Sequence, residues 1–363
     1  MNKRVYNFSP GPAVLPEEVL QKMQDEMLDY KGYGMSIMEM SHRSNEVTNL
    51  VEEAERLVKD ILDIKEKNYR VLFMQGGASS QFYMVPQNIL GKGDKAGYTI
   101  TGSFAKKAYE EATKMGEIKV AADMKENNYT RLPRAEELDL KGEPSYLHLT
   151  SNNTIYGTQW AEMPETSGIP IVADMSSDIM SKPIDMRNVG IIYAGAQKNL
   201  GPAGVTLVII REDLLESIPE NLPNMNRYDV IAESNSLFNT PPVFAIYAMK
   251  LVLEWLKDNG GLKGIDKINQ EKAKLIYDVI DDSDGFYKGH AVEEDRSLMN
   301  IPFRLKNEEL EKLFLEDAEK KGLVGLKGHR SVGGIRASTY NAMPVEGCKA
   351  LAEFMKEFLI KNK

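Results

Sequence analysis

The chain has one cysteine, few histidines and no long apolar run. Its single cysteine, Cys348, excludes an internal disulfide and is typical of a reducing compartment. The four histidines lack the spacing of zinc ligands, so we expect no metal site. No run approaches the roughly 18 apolar residues of a membrane span, and the first residues contain no apolar signal segment. We therefore expect a cytoplasmic protein without membrane contact.

An excess of basic residues is also absent. The formal net charge is −9, which argues against nucleic acid or an anionic membrane as the main partner. An anionic small-molecule substrate must therefore be bound by local cations. The chain has 363 residues, of which 42% are hydrophobic, enough for two or three domains with buried cores.

Apolar, strand-like runs alternate with helical patterns over the first two thirds of the chain, which predicts a mostly parallel sheet with crossover helices. A helix is predicted over 241–258, with Thr240 as its candidate N-cap, and a second helix over 264–280. Beyond about residue 281, short strands flank amphipathic helices, as in an α+β domain. We place a large α/β domain at 16–260 and a smaller α+β domain at 1–15 with 261–363, so that the N-terminal segment packs on the smaller domain. The strands of the large domain are predicted at 69–74, 95–101, 145–149, 169–174, 190–194 and 205–210, and a short turn before the last run allows it to be antiparallel.

Two strand ends carry candidate catalytic side chains. Asp174 ends the apolar run GIPIVAD, and Lys198 follows the run VGIIYAGAQK as the only Lys or Arg between Arg187 and Arg211. A lysine among apolar and small neighbours loses proton affinity and becomes a usable nucleophile. An amine and a buried acid are what pyridoxal 5'-phosphate needs, one for its aldehyde and one for its ring nitrogen. A solvated turn lysine and a strand-end aspartate are the alternative interpretation, and the spacing leaves both open.

Two glycine-rich runs could contact phosphate. The run QGGASS (75–80) follows a predicted strand and opens a helix, where unpaired N–H groups favour an anion, although a tight βα turn uses the same residues. The run GKGDKAG (91–97) resembles a dinucleotide loop. Its third glycine is one position late and it precedes a strand, so we discount it.

Eight segments, collinear over essentially the whole chain, together resemble the phosphoserine aminotransferase family. That family depends on pyridoxal 5'-phosphate and has fold type I, with a mostly parallel seven-stranded sheet and a smaller α+β C-terminal domain. The resemblance implies transfer of the amino group between L-glutamate and 3-phosphohydroxypyruvate, giving O-phospho-L-serine and 2-oxoglutarate in L-serine biosynthesis. The segments are SPGPAVLP (9–16), MSHRS (40–44), QGGASSQF (75–82), SNNTIYGTQ (151–159), AD (173–174), AGAQKNLGPAG (194–204), FNTPP (238–242) and GHRSVGGIRAS (328–338).

The resemblance also implies roles for individual residues. Lys198 would bind the cofactor covalently and move a proton, and Asp174 would pair with the ring nitrogen. Arg336 would bind the substrate α-carboxylate. At the distal anion of the substrate the resemblance implies His329, together with His42 and Arg43 from the partner subunit of a homodimer. Further cofactor contacts are implied for Gly77, Ala78, Ser79, Phe104, Thr154 and Gln197 and, from the neighbouring subunit, for Asn239 and Thr240.

The sequence departs from the family at two places and leaves alternatives open. Phe104 stands where the family more often has tryptophan, and Ala78-Ser79 where some members have Gly-Arg. An aminotransferase of the alanine–glyoxylate or serine–pyruvate type would lack the second cationic cluster. A cysteine desulfurase would need a mobile cysteine and usually a histidine in place of Gln197. A dinucleotide-binding protein would need a G-x-G-x-x-G motif that follows a strand and opens a helix. A salt bridge at the edge of a sheet remains the alternative role for Arg336. The sequence also leaves open whether 4-phosphohydroxy-L-threonine is a further substrate.

Overall fold

The computed structural model describes residues 4–65 and 68–363; residues 1–3 and 66–67, which fall within the two predicted domains, lie outside this description. The described residues form fourteen strands: β1 (Tyr6–Asn7), β2 (Tyr69–Met74), β3 (Lys95–Ile100), β4 (Glu117–Asp123), β5 (Leu147–Thr150), β6 (Asn152–Asn153), β7 (Thr158–Gln159), β8 (Ile171–Asp174), β9 (Val189–Gly195), β10 (Thr206–Arg211), β11 (Lys288–Gly289), β12 (Asn300–Arg304), β13 (Leu323–Val324) and β14 (Ile335–Ser338). The same residues form nine α-helices: α1 (Glu17–Asp25), α2 (Asn45–Ile61), α3 (Gly77–Ile89), α4 (Ser103–Ala112), α5 (Tyr228–Glu233), α6 (Val243–Asp258), α7 (Gly261–Asp281), α8 (Glu308–Lys320) and α9 (Val345–Asn362).

Seven strands form one central sheet in the order β2-β10-β9-β8-β5-β3-β4. Strands β4, β3, β5, β8 and β9 pair in parallel, whereas β10 is antiparallel to both β9 and β2. The predicted fold class is therefore confirmed. The antiparallel orientation considered for residues 205–210 is also confirmed, since those residues form β10.

Helices bury both faces of this sheet. Successive side chains of a strand point to opposite faces, so a strand buried on both sides is apolar throughout. In β10, Leu207 and Ile209 join the core that includes residues of α2 and α6. Val208 and Ile210 join the opposite core, which includes residues of α3 and α5. The sheet is thus the middle layer of three, with its carboxyl ends free for a site.

A second region contains an antiparallel sheet in the order β11-β12-β14 and a core of its own, to which α8 and α9 contribute. Strand β1 pairs in parallel with β13, so residues near the N-terminus pack on this region. Helix α7 contributes Ile265 to a core of the large sheet and Ile276 to the core of this region. The division of the chain near residue 260 stays a proposal.

Two details differ from the sequence prediction. Strand β4 was not predicted, because it lies at the edge of the sheet and most of its side chains are exposed. Helix α6 begins at Val243 with Pro242 at the N-cap, so the assignment of Thr240 as N-cap is wrong. The residue before a proline avoids helical backbone angles, which keeps Pro241 out of the helix. Among the described residues, no helix is long and apolar enough to cross a membrane.

Candidate active site

A cavity of about 460 Å³ lies at the carboxyl ends of the parallel strands, the usual position of a ligand in an open α/β sheet. Side chains from several segments far apart in the sequence meet there, because each follows a neighbouring strand. Ten residues that the sequence analysis singled out line this cavity: Gly77, Ala78, Ser79, Phe104, Thr154, Asp174, Gln197, Lys198, His329 and Arg336.

Lys198 follows β9 and extends its amine into the cavity. Its Nζ donates a hydrogen bond to Thr154 Oγ1 at 2.7 Å and lies 4.9 Å from the centroid of the Phe104 ring. Burial lowers the pKa of Lys198 to about 8, an effect that Asp174 opposes and Arg336 reinforces. No carboxylate of the described residues forms a salt bridge with this amine. The fraction of Lys198 that is neutral and nucleophilic near pH 7 is therefore far larger than for a solvated lysine.

Asp174, the last residue of β8, presents one oxygen to its own chain and the other to the cavity. Its Oδ1 accepts hydrogen bonds from the Ser176 backbone N–H at 3.0 Å and from Ser176 Oγ at 2.7 Å. The Ser176 hydroxyl is itself oriented by the N–H of Gly195, which donates to it at 3.1 Å. Burial raises the pKa of Asp174, while Ser176 and Lys198 oppose the rise. A cationic N–H donor in the cavity would favour the ionised carboxylate.

The start of α3 forms a small backbone cradle beside these groups. Gly76 has φ of 91° and Gly77 has φ of 64°, and a Cβ added at Gly76 would lie 2.0 Å from Ser80 Oγ. Within the described chain, the amides of Ala78 and Ser79 donate to no backbone acceptor outside the helix. Free N–H groups at a helix start fit a phosphate. Together with Lys198 and Asp174, this cradle fits a cofactor that carries an aldehyde, a ring nitrogen and a phosphate.

Arg336 and His329 also line the cavity and could bind an anion. Arg336 is only 5% exposed, its guanidinium donates to the Thr154 carbonyl at 3.3 Å, and its Nε has no partner among the described residues. Burial lowers the pKa of Arg336, so an anion that reached it would be bound strongly. His329 accepts the Ser331 N–H on Nδ1 at 3.2 Å, and burial and Arg336 lower its pKa. The edge-strand salt bridge considered for Arg336 does not occur in the described structure.

The remaining four predicted residues do not line the cavity of their own chain. His42 Nδ1 and Thr240 Oγ1 lie 3.2 Å apart, and Arg43 is exposed. The Gln75 side chain donates to the Thr240 carbonyl at 3.4 Å, which brings this group close to the start of α3. His42, Arg43, Asn239 and Thr240 are called the external cluster below.

Some residues of the cavity were not singled out by the sequence. Pro10 and Gly11 line it, although the sequence analysis assigned their segment only a packing role. Ser176 was missed because serine beside aspartate is common and carries no signal of its own. The SPGPAVLP segment, already part of the family resemblance, was the available signal for Gly11. Cys348 is buried in α9 with its thiol pKa raised to about 12 by burial, which does not suit a desulfurase nucleophile.

Comparisons with known proteins agree along the whole chain. The family model for aminotransferase class-V matches residues 5–351. The phosphoserine aminotransferase of Lysinibacillus sphaericus is 55% identical over 363 residues, which is 100% of both chains. The solved phosphoserine aminotransferase of Bacillus circulans subsp. alkalophilus has a TM-score of 0.97 at 52% identity, covering 99% of each chain.

A more distant structure supports the same assignment. The phosphoserine aminotransferase of Trichomonas vaginalis, solved with pyridoxal phosphate bound, has a TM-score of 0.92 at 36% identity. It covers 97% of this chain, and 100% of its own chain is matched. The chain described here therefore belongs to the class-V aminotransferase family, with fold type I, among the phosphoserine aminotransferases.

Proposed function

We propose that this protein transfers the amino group between L-glutamate and 3-phosphohydroxypyruvate, giving O-phospho-L-serine and 2-oxoglutarate in L-serine biosynthesis. The observation that carries the proposal is the meeting of Lys198, with its lowered pKa, and the unpaired, buried Arg336 in one cavity. The amine is the nucleophile, and the guanidinium can bind the carboxylate of an amino acid.

Pyridoxal 5'-phosphate fits the cavity by its chemistry. When bound, it supplies an aldehyde for amines and an electron-withdrawing ring. Lys198 would hold the aldehyde carbon, and Asp174 the ring nitrogen. Gly77, Ala78 and Ser79 would hold the phosphate with their backbone amides, helped by the side chain of Gln197. Phe104 would pack on the ring, and Thr154 would hydrogen-bond the ring oxygen.

Lys198 would then move the proton of the substrate α-carbon, and Asp174 would stabilise the positive charge opposite it. The neutral amine of Lys198 takes the proton from the substrate α-carbon, for which a pKa of about 8 is well suited. The anchored carboxylate of Asp174 keeps its free oxygen in the cavity. A protonated ring nitrogen would donate a hydrogen bond to this oxygen, worth about 1.5–3 kcal/mol. Phe82 and Ile155 add apolar surface to the lining of the same cavity.

Both substrates carry two anions, and the proposal assigns a cationic group to each. Arg336 binds the α-carboxylate with two parallel hydrogen bonds, which a guanidinium can make and an ammonium cannot. His329, together with His42 and Arg43 of a second subunit, binds the distal carboxylate or phosphate. Asn239 and Thr240 of that subunit would reach the cofactor phosphate. Arg43 and Thr240 of the external cluster are exposed, and this cluster lies beside the start of α3, which supports a homodimer in which each site uses residues of both chains.

The test is an assay of the purified protein with pyridoxal phosphate, glutamate and 3-phosphohydroxypyruvate. We expect phosphoserine and 2-oxoglutarate in equal amounts, and no product from Lys198→Ala. Arg336→Lys should raise KM for both amino acids by about tenfold or more, since the planar two-point contact is lost. Product from glyoxylate or pyruvate, with none from the phosphorylated oxo acid, would contradict the proposal. The single cysteine supports the cytoplasm as the site of this reaction.

A further inference from the structure

Helix α4 carries a cation beside Phe104, a residue that lines the cavity, and no role has been assigned to this cation so far. Lys107 Nζ lies 5.4 Å from the centroid of the Phe104 ring, and Lys198 Nζ lies 4.9 Å from the same centroid. The two ammonium groups are therefore separated by at most about one Debye length, which is about 10 Å at 0.1 M salt. Lys107 is thus close enough to act on a charge that occupies the cavity.

The ammonium group of Lys107 lacks a carboxylate partner within the described chain. Its neighbour Lys106 differs, since its Nζ lies 3.5 Å from Glu110 on the same helix. Both lysines are exposed, so the difference between them is the direction in which each one points. The ammonium group of Lys107 lies near the ring of Phe104, which lines the cavity, whereas that of Lys106 is paired with Glu110.

Lys107 also acts on the groups that face the distal end of the substrate. Burial, Arg336, Arg330 and Lys107 all lower the pKa of His329, in that order. The positive potential at His329 therefore comes from several side chains. It matters in a protein of net charge −9, whose overall field repels anions from the surface.

We infer that Lys107 is a specificity-determining residue that favours the phosphorylated substrate over glutamate. The inference rests on the proposed function and concerns the same site. A phosphate monoester carries about −1.5 to −2 charges at neutral pH, whereas the distal carboxylate of glutamate carries one. An exposed cation that hydrogen-bonds neither substrate attracts each in proportion to its charge. Lys107 thus distinguishes phosphoserine from glutamate by the charge of the distal group. The residues that contact the substrate directly distinguish the two by the geometry of that group.

The experiment measures each half-reaction of the purified holoenzyme separately, with phosphoserine and with glutamate, by the change in visible absorbance. Lys107→Ala should lower kcat/KM for phosphoserine by about 3- to 4-fold and for glutamate by about 2-fold. Lys107→Arg should keep the wild-type ratio because it keeps the charge. Added salt should narrow the preference of the wild-type enzyme for phosphoserine more than it narrows that of Lys107→Ala, which lacks one of the cations.

Lys106→Ala is the matched control, since it removes the same charge from the next position of the same helix. It should leave both half-reactions within about 2-fold of wild type. Equal losses in Lys107→Ala and Lys106→Ala, or equal losses for the two substrates, would overturn the inference. A wild-type enzyme that does not react with phosphoserine would instead overturn the proposed function, so the two failures are distinguishable.

Discussion

Lys198 and Thr154 are joined by a hydrogen bond of 2.7 Å from the amine to the threonine hydroxyl. The carbonyl of the same threonine accepts a hydrogen bond from Arg336 at 3.3 Å. One residue therefore links the nucleophile to the proposed carboxylate-binding group, although the three lie far apart in the sequence. Thr154 therefore holds the Lys198 amine and the Arg336 guanidinium on the same short segment.

The lowered pKa of Lys198 predicts a pH profile for cofactor capture. An amine attacks an aldehyde only in its neutral form, and burial lowers this pKa to about 8. The rate at which the apoenzyme binds pyridoxal phosphate should rise about tenfold per pH unit below pH 8 and level off above it. Stopped-flow absorbance measures this rate, with Lys198→Ala as the control. A rise that continued to pH 10 would show an ordinary, solvated lysine.

The anchoring of Asp174 predicts an effect of Ser176→Ala. Loss of the hydroxyl removes a hydrogen bond of 2.7 Å to Oδ1 and lets the pKa of the carboxyl rise further. The dissociation constant of pyridoxal phosphate should increase by about tenfold, equivalent to the loss of one charge-assisted hydrogen bond. Fluorescence titration of the apoenzyme measures it.

Ser177→Ala provides the control for this measurement. Ser177 also lines the cavity, but its hydroxyl donates to the Asn152 carbonyl at 2.9 Å and does not touch Asp174. Its removal should change the affinity for the cofactor far less. Equal losses in the two variants would mean that Ser176 acts through general packing and not through Asp174.

The close approach of Gly11 to Lys198 predicts a local effect of Gly11→Ala. A Cβ at this position would lie 3.1 Å from Lys198 Cγ, and the backbone φ of 139° disfavours alanine as well. We expect cofactor capture to slow by about tenfold, as expected for a small misplacement of a reacting group. Gly34→Ala separates the effect of the contact with Lys198 from that of backbone strain. Gly34 also has a positive φ, 71°, but an added Cβ there would have nothing within 4 Å. If both variants captured the cofactor equally slowly, backbone strain alone would explain the result.

The sequence was sufficient for the parts of this site that follow strand ends. Asp174 and Lys198 were predictable because each stands after an apolar run, and parallel strands bring their carboxyl ends together. The family resemblance added Arg336 and His329, which no pattern in the sequence connects to Lys198. Strand β4 was missed because an exposed edge strand lacks the apolar run on which the prediction depended. The approach of Gly11 to Lys198 depends on tertiary packing, and a sequence pattern does not report it.

The external cluster predicts complementation between two inactive variants. Lys198→Ala and Arg43→Ala would each impair a homodimer whose sites are shared between subunits. Random mixing should yield about one half mixed dimers, each with one intact site, so activity should recover to about one quarter of wild type. The measurement is the transamination rate after the two variants are unfolded and refolded together. If Arg43 served its own chain, mixed dimers would contain no intact site and no recovery would occur.

The central claim is that Lys198, Asp174 and Arg336 form one site for amino acids that carry a second anion. Its most direct test is a half-reaction titration of the purified holoenzyme, followed by visible absorbance. We expect phosphoserine and glutamate each to abolish the band of the lysine-bound cofactor, and alanine to leave it unchanged at equal concentration. A band that alanine abolished as readily as phosphoserine, or that survived in Lys198→Ala, would contradict it.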